Sequence, residues 1–383
     1  MGLNLIAGMR REIGRMASRK MYLGGLLVAP LFLAFFLILL NSGLPNRVPT
    51  AVVDYDNSPM SRELIRNLSA EQQLEIVDHS DSYEAALAKV RSGEIFGFFV
   101  IPPHFQKETL SGRTPTLEFY SNLTYFIPGT LAFKGFKTAA VVTAGGVVKS
   151  VLSATGLEGA MSTPSMTFDQ FPLGNPWMNY AYYMAPSFCF GVFGLMVLLM
   201  TIFCITIEIK EGTSPRWLAT SRGHMSMALI SKLLPHTIAF CAMGLLMLAV
   251  MFGFKHFPFY GSLGWMCVAT VLMVIAYQCF GVFICSILPN PRLAFSLGAL
   301  FGILTFSFAG FSYPVQSMYG AIAIFSYLAP VRYWFLIYLN EGLNGLPLYY
   351  SRYYFAALLA FMFLFGLAMR KLRKACQNPV YVP

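Results

Sequence analysis

Long runs of uncharged, apolar residues constrain this chain more than any other feature. The first run extends from about Met21 to Leu40, and its twenty residues span roughly 30 Å as a helix, enough to cross the hydrocarbon core of a bilayer. Five further runs follow at about 182–207, 227–254, 263–288, 294–311 and 353–369. Only 11% of the residues are charged, against about 25% in an average soluble chain, which excludes a soluble enzyme. The sequence therefore predicts an α-helical polytopic membrane protein with six transmembrane helices.

Basic residues beside these runs predict their orientation. They form four groups: Arg10, Arg11, Arg15, Arg19 and Lys20; Lys210, Arg216, Arg222 and Lys232; Arg292; and Arg370, Lys371, Arg373 and Lys374. Positive residues near span ends favour the cytoplasm, and all four groups reach the same side only with six spans and both termini inside. We therefore expect a multi-pass protein of the plasma membrane (the inner membrane in a cell with two membranes), with a cytoplasmic tail at 370–383.

The spans carry few ionisable residues. Lys232 and His236 enter the third run near its cytoplasmic end, where we expect them to snorkel to the interface. Ion-driven carriers place charged groups deep in the membrane. The scarcity of ionisable residues in these spans therefore argues against a carrier driven by protons or sodium. The stretch 321–339 is interrupted by Pro330 and Arg332. We expect it to form a helical hairpin or a half-buried segment rather than a full crossing, within an outer hairpin at 312–340.

Residues 41–180 differ from the rest of the chain in composition. They hold 13 of the 17 acidic residues. Predicted strands at 50–54, 74–77, 95–101 and 116–120 alternate with predicted helices at 61–68 and 82–91, the second of which ends at Gly93. A further helical stretch is expected at 129–154. This pattern predicts an extracytoplasmic α/β domain inserted between the first two spans.

The first 20 residues predict an amphipathic interfacial helix. Apolar side chains recur at helical spacing opposite Arg10, Arg11, Arg15 and Arg19. We expect this helix to lie on the membrane, with its arginines attracted to anionic lipid.

The chain lacks the motifs of an energy-converting enzyme. The stretch from Gly145 to Ser150 imitates a phosphate-binding loop but lacks the glycine before Lys149. No catalytic, cofactor-binding or metal site is predicted, and transport would need energy from elsewhere.

The loop that follows the second span, 208–226, carries a family resemblance. Its run Glu208-Ile-Lys-Glu-Gly-Thr-Ser-Pro-Arg-Trp resembles the coupling segment of type-2 ABC transporter permeases. Six spans, an amphipathic first helix and the Pro-interrupted hairpin resemble the same family. The runs Asp54-Tyr-Asp-Asn-Ser-Pro and Ile101-Pro-Pro-His-Phe resemble its subgroup with a large extracytoplasmic domain between the first two transmembrane helices. Ser214-Pro215 departs from the family, in which a helix often continues at this point.

The resemblance implies that the chain is a transport subunit, with transmembrane helices two to six within residues 181–369. It also implies that the chain has no enzymatic activity of its own. ATP and Mg would bind a separate ABC ATPase, and the permease would pair with a second copy or a homologue. The implied ATPase-coupling residues are Glu208, Lys210, Glu211, Gly212, Thr213, Arg216 and Trp217. No nucleic-acid partner is expected.

The residues of this loop allow two interpretations. Pro215 suits the first turn of a helix capped by Thr213 or Ser214, and Arg216 and Trp217 would then form a knob that fills a groove on a soluble partner. Alternatively, the loop lies on the membrane with Trp217 among the lipid headgroups. The resemblance favours coupling.

The most probable function on this reasoning is export of a hydrophobic or amphipathic substrate. The resemblance implies that the second and fifth spans line the path, with candidate lining residues Phe188, Phe190, Phe306, Phe308 and Phe311. Gly298 and Gly302 would allow close helix packing, within the chain or between subunits. The alternative is a membrane-anchored receptor or assembly protein that binds a partner through its outer domain without an ATPase.

Overall fold

The computed structural model describes residues 2–40, 47–71, 74–111, 115–121, 131–141, 179–311 and 315–379. The chain divides into two compact units, Met1–Asn41 with Pro172–Pro383, and Ser42–Phe171. The first is helical, and the second contains a sheet. We refer to them as the membrane unit and the inserted unit.

The membrane unit consists of helices of very different lengths. They are α1 (Gly2–Ser18), α2 (Lys20–Leu39), α7 (Tyr180–Lys210), α8 (Ser214–Thr220), α9 (Met225–Leu248, continued as a π-helix Ala249–Phe254), α10 (Leu263–Ile287), α11 (Pro291–Ser307), α12 (Gly320–Tyr327), α13 (Pro330–Ile337, continued as a π-helix Tyr338–Leu343), α14 (Leu348–Ala360) and α15 (Met362–Gln377).

Five of the described helices are long and apolar enough to cross a membrane: 20–39, 181–210, 225–254, 263–287 and 348–377. The 17 residues of α11 occupy the position of the predicted fifth span, and this helix is apolar but shorter than the others, about 26 Å in length. The prediction of a polytopic helical membrane protein is confirmed.

The stretch before the last span is bent, as its proline predicts. Gly320–Tyr327 and Pro330–Leu343 meet at 82° across a break at Leu328 and Ala329. Pro330 occupies the first turn of the second helix, where its missing N–H costs nothing. The predicted hairpin also includes residues 312–314, which lie outside the described residues.

The inserted unit is a small α/β layer. A four-stranded sheet has the order β2-β1-β3-β4, in which β4 alone is antiparallel. Its elements are β1 (Val48–Asp54), α3 (Pro59–Ala70), β2 (Leu74–His79), α4 (Tyr83–Ser92), β3 (Gly97–Ile101), α5 (Phe105–Leu110), β4 (Glu118–Ser121) and α6 (131–141).

Hydrophobic residues cover both faces of this sheet. Leu64 and Leu68 of α3 pack on one face, and Ala86 of α4 packs on the other. The predicted stop at Gly93 is confirmed, because this glycine ends α4 in the left-handed conformation that favours glycine. Residues 142–154 of the predicted long helix lie outside the described residues.

Candidate functional site

The segment between α7 and α8 contains a glycine-dependent helix end. Gly212 has φ +66°, a conformation that favours glycine, and it ends α7 while the Thr213 N–H donates to the Glu208 carbonyl at 2.9 Å. Pro215 then lies in the first turn of α8. The Glu-Gly-Thr run therefore turns the chain sharply between a membrane helix and a short helix.

The predicted caps of α8 are wrong, because both hydroxyls have other partners. The Thr213 hydroxyl donates to the Glu208 carboxylate, and the Ser214 hydroxyl donates to the carbonyl of Cys376 in α15 at 2.9 Å. These bonds fasten the start of α8 to the end of α7 and to the end of the last helix.

The interpretation of Trp217 as an exposed knob is also wrong. Its side chain is 2% exposed, and its indole N–H donates to the carbonyl of Ala228 in α9 at 3.2 Å. The ammonium of Lys232 lies 5.3 Å from the centre of the Trp217 ring, within range of a cation–π interaction. Trp217 thus anchors α8 to α9 from inside and leaves Arg216 as the exposed member of the pair.

The exposed surface of α8 and its neighbours is small and basic. Pro215, Arg216 and Ala219 are exposed along α8, and Arg222 is exposed in the turn that follows it. We call these four residues the exposed ridge. Lys210, at the end of α7, is exposed as well.

Beneath the ridge lies a buried group of charged side chains, which we call the ion cluster. Its members are Arg11, Glu12 and Arg15 of α1, Glu208 of α7, and Lys232 and His236 of α9.

Lys232 holds the centre of the ion cluster. Its ammonium lies 2.5 Å from Glu12 Oε2 and 3.0 Å from Glu208 Oε1, and its side chain is 1% exposed. His236 Nε2 lies 3.0 Å from the other oxygen of Glu12. The expectation that Lys232 and His236 snorkel to the interface is wrong, because both side chains are buried beside the carboxylates of Glu12 and Glu208.

Glu208 also forms ion pairs with two arginines of α1. Arg11 lies 2.9 Å from one of its oxygens and Arg15 lies 3.0 Å from the other. Arg15 and Arg19 continue to Glu211, at 2.9 and 2.7 Å. The cluster therefore joins α1, the end of α7 and the start of α9 around the segment that leads to α8.

Electrostatics inside the cluster favour the ionised state of Glu12. Burial raises the pKa of this carboxyl, but the hydrogen bond from His236 and the charge and hydrogen bond of Lys232 outweigh burial. The pKa of Glu12 consequently lies below its ordinary value. A carboxylate kept charged in a buried site is costly to leave without its partners.

The first helix faces the protein with its charged side rather than its apolar side. Arg11 and Arg15 of α1, together with Arg19 directly after it, pair with acids, which contradicts the expectation that these arginines bind lipid. Arg10 is exposed. Gly8 lies so close to α9 that a Cβ there would meet the Ser231 hydroxyl at 2.5 Å. The apolar side of α1 is left exposed, as expected for a helix that embeds in a membrane interface.

The candidate path residues fall into two places. Phe188, Phe306 and Phe311 are in mutual ring contact near Phe36, where α2, α7 and α11 meet. Phe190 is fully buried and stacks on Trp334 at 3.9 Å, so in this structure it belongs to the hydrophobic core.

Phe308 and the two glycines of α11 complete this region. Phe308 is half-buried at the end of α11. A Cβ on Gly298 would lie 2.4 Å from Ile202, and one on Gly302 would lie 2.2 Å from Leu195. The two glycines thus serve packing of α11 against α7 within the chain.

The sequence interpretation missed Glu12, although it lies among the arginines that were noted. The available signal was a lone acid in the first helix together with a lysine and a histidine four residues apart in an apolar run. Buried ionisable groups require partners. Burial of Lys232 and His236 would therefore have implied an acidic partner from elsewhere in the chain.

Known proteins resemble this chain at two levels. A family profile described as ABC-2 family transporter protein matches residues 20–370. A linearmycin resistance permease protein, LnrN, of Bacillus subtilis (strain 168) is 32% identical over 91 residues. That alignment covers 24% of this chain and 23% of the relative.

Proposed function

The chain belongs to the ABC-2 family of transporter proteins, and from this premise we propose that it is the membrane subunit of an exporter powered by a separate ABC ATPase. As a multi-pass transport subunit it is not itself an enzyme. Under this proposal ATP and Mg bind the partner, and the chain converts a movement of that partner into a movement of its spans.

We place the ATPase against the exposed ridge. The positive-inside rule puts both termini and the loop 208–226 in the cytoplasm, where a soluble ATPase is available. Arg216 and Arg222 give the ridge a positive charge, so the complementary groove on the ATPase would be acidic. Lys210 and Glu211 flank the ridge and would contribute at its rim.

One observation carries the proposal: Trp217 bonds α8 to α9, and Thr213 at the start of α8 bonds to Glu208 of the ion cluster. A push on the ridge would reach α9 through Trp217 and its bond to Ala228. It would reach α7 and α1 through Glu208 and its cationic partners. Oppositely charged groups that are buried and desolvated resist separation, so the three helices would move together.

Movement of α7 would then act on the fifth span. The contacts of Gly298 and Gly302 bring α11 close to α7, and the ring cluster around Phe188 lies at the end of that contact. We propose that tilting α7 against α11 opens a path for substrate beside Phe188, Phe306 and Phe311.

The substrate class we propose is hydrophobic or amphipathic. Spans with few ionisable residues, together with aromatic rings, offer such a molecule apolar contacts. The resistance named in the LnrN relative is an outcome that export of a toxic compound would produce, which supports the outward direction. A second copy of the chain or a homologue would complete the path.

Charge reversal at the ridge tests the proposal. We expect Arg216→Glu with Arg222→Glu to abolish copurification with the ABC ATPase that copurifies with the unaltered chain, and to abolish stimulation of its ATP hydrolysis. Arg292→Glu, at an exposed arginine outside the ridge, is the matched control and should leave both unchanged. Unaltered copurification of the double variant would reject the ridge as the docking surface.

A further inference from the structure

The inserted unit contains a cleft at one edge of its sheet that the transport proposal does not use. The cleft has a volume of about 650 Å³ and lies at the carboxyl ends of the parallel strands β1 and β2. In open α/β sheets, ligands bind outside the carboxyl ends of the strands. The volume matches that of small-molecule sites, which span roughly 300–1,000 Å³.

Two arginines supply the cleft with positive charge. Arg62 and Arg66 stand one helical turn apart on α3, so both side chains lie on the same face of the helix. Neither forms an ion pair with any residue that the structure describes. A guanidinium binds carboxylate or phosphate through paired N–H groups, and these two have their donors available.

Asp54, the acid that lines the cleft at the end of β1, already has hydrogen-bond partners. One oxygen of Asp54 accepts from the backbone N–H groups of Asp56 at 3.0 Å and Asn57 at 3.1 Å. Its other oxygen accepts from the Ser61 hydroxyl at 2.7 Å. Asp54 therefore holds the β1–α3 turn in shape, with three donors around its charge, and does not compete for the arginines.

The remaining wall comes from the β2–α4 turn. His79 and Asp81 are exposed there, and Ser80 is buried. The Ser80 hydroxyl is bonded to Asp78, which in turn pairs with Lys89 at 2.6 Å. The turn is thus fixed by its own bonds, and Asp81 is the one acid of the cleft with no hydrogen-bond or ion-pair partner among the described residues.

We propose that this cleft binds a small ligand through an oxyanion, a phosphate or a carboxylate, held by Arg62 and Arg66. Two turns fixed by Asp54 and Asp78 shape the pocket before the ligand arrives, which lowers the entropic cost of binding. Such an oxyanion belongs either to a soluble metabolite or to a lipid headgroup. Binding here would equip the inserted unit to sense or to receive a ligand, independently of ATPase docking.

Titration of the full-length purified protein tests this proposal without an ATPase. The probes are inorganic phosphate, acetate and a short-chain phosphatidylglycerol, with short-chain phosphatidylcholine as the lipid that lacks net negative charge; binding is followed by calorimetry and native mass spectrometry. We expect at least one anionic probe to bind and phosphatidylcholine not to bind. Binding of phosphatidylglycerol alone identifies a lipid headgroup, whereas binding of phosphate or acetate identifies a soluble oxyanion.

Three variants decide whether the cleft is responsible. Arg62→Ala and Arg66→Ala should each weaken binding about tenfold or more, as expected for loss of a hydrogen-bonded charge pair. Asp81→Asn should bind at least as tightly as the unaltered chain, because it removes a repulsive charge. Arg91→Ala, on α4 outside the cleft, is the matched control and should change nothing.

Three outcomes would overturn the proposal. The first is no binding of any anionic probe at millimolar concentrations, and the second is binding that Arg62→Ala and Arg66→Ala leave unaltered. Weaker binding by Asp81→Asn would likewise reject an oxyanion as the recognised group.

Discussion

Lys232 illustrates how one buried charge can organise several helices. It reaches carboxylates on α1 and α7 from its position on α9. Such a residue tolerates burial only because its partners approach within hydrogen-bond distance. The neighbouring Trp217 is likewise buried and connects helices. The sequence suggested that its ring docks a partner, whereas in the structure it anchors α8 to α9.

Substitution of Lys232 measures the strength of this arrangement. We expect Lys232→Met to lower the free energy of unfolding by about 3–5 kcal/mol, because Glu12 and Glu208 lose their shared cation inside the protein. Thermal unfolding in detergent provides the measurement. The control Lys371→Met alters an exposed lysine of α15 and should stay within about 0.5 kcal/mol of the unaltered chain. Equal effects of the two substitutions would contradict a compensated buried lysine.

Glu12 predicts a pH dependence of stability. Because its pKa in the folded protein lies below the ordinary value of about 4.3, the folded state releases this proton more readily than the unfolded state does. The stabilisation is therefore present above the ordinary pKa and is lost as the pH falls through it towards the folded pKa.

We expect the melting temperature of the unaltered chain to fall more steeply below about pH 5 than that of Glu12→Gln. Melting curves of both proteins at a series of pH values provide the comparison. Parallel curves for the two proteins would show that Glu12 contributes nothing to the acid response.

At the scale of elements, the sequence predicted most of what local residue chemistry controls. Gly93 ends a helix and Pro330 begins one, because each residue has a backbone preference that few environments override. The apolar runs predicted the long helices for a different reason: in lipid, a helix satisfies the hydrogen bonds of its own backbone.

The ion cluster could not be predicted in this way. Glu12 and Lys232 are separated by 220 positions in the sequence, and no local signal connects them. The lysine was interpreted from its place near a span end, a rule that assumes the interface is its best environment. In the structure, Glu12 of α1 gives the Lys232 ammonium a more favourable environment than the interface. This contact depends on the tertiary fold and not on local sequence.

The backbone conformation of Gly212 determines where α7 ends. We expect Gly212→Ala to cost about 1–2 kcal/mol, because alanine resists the left-handed conformation that ends α7. Gly14→Ala, in the exposed middle of α1, has open space around the new methyl group and should instead stabilise the helix by roughly 0.5–1 kcal/mol. Chemical unfolding of both variants measures the contrast, and a destabilising Gly14→Ala would show that backbone conformation does not govern the difference.

For the whole molecule, the orientation in the membrane is the first quantity to establish. In a chain without its native cysteines, we expect Ser92→Cys of the inserted unit to react with an impermeant thiol reagent from outside intact cells. Ala219→Cys of the ridge should react only after the cells are opened. Both positions are exposed in the structure, so that accessibility reports sidedness. Labelling of both from the same side would refute the six-span topology.

Contact between the ridge and the ATPase can be captured with a site-specific cross-link. A photoreactive amino acid at Ala219, in cells that also produce the ABC ATPase that copurifies with the chain, should form a covalent adduct with that ATPase. The same group at Ser92 should form none. An adduct from position 92, or the absence of one from position 219 in a folded, membrane-inserted chain, would rule out docking of the ATPase on the ridge.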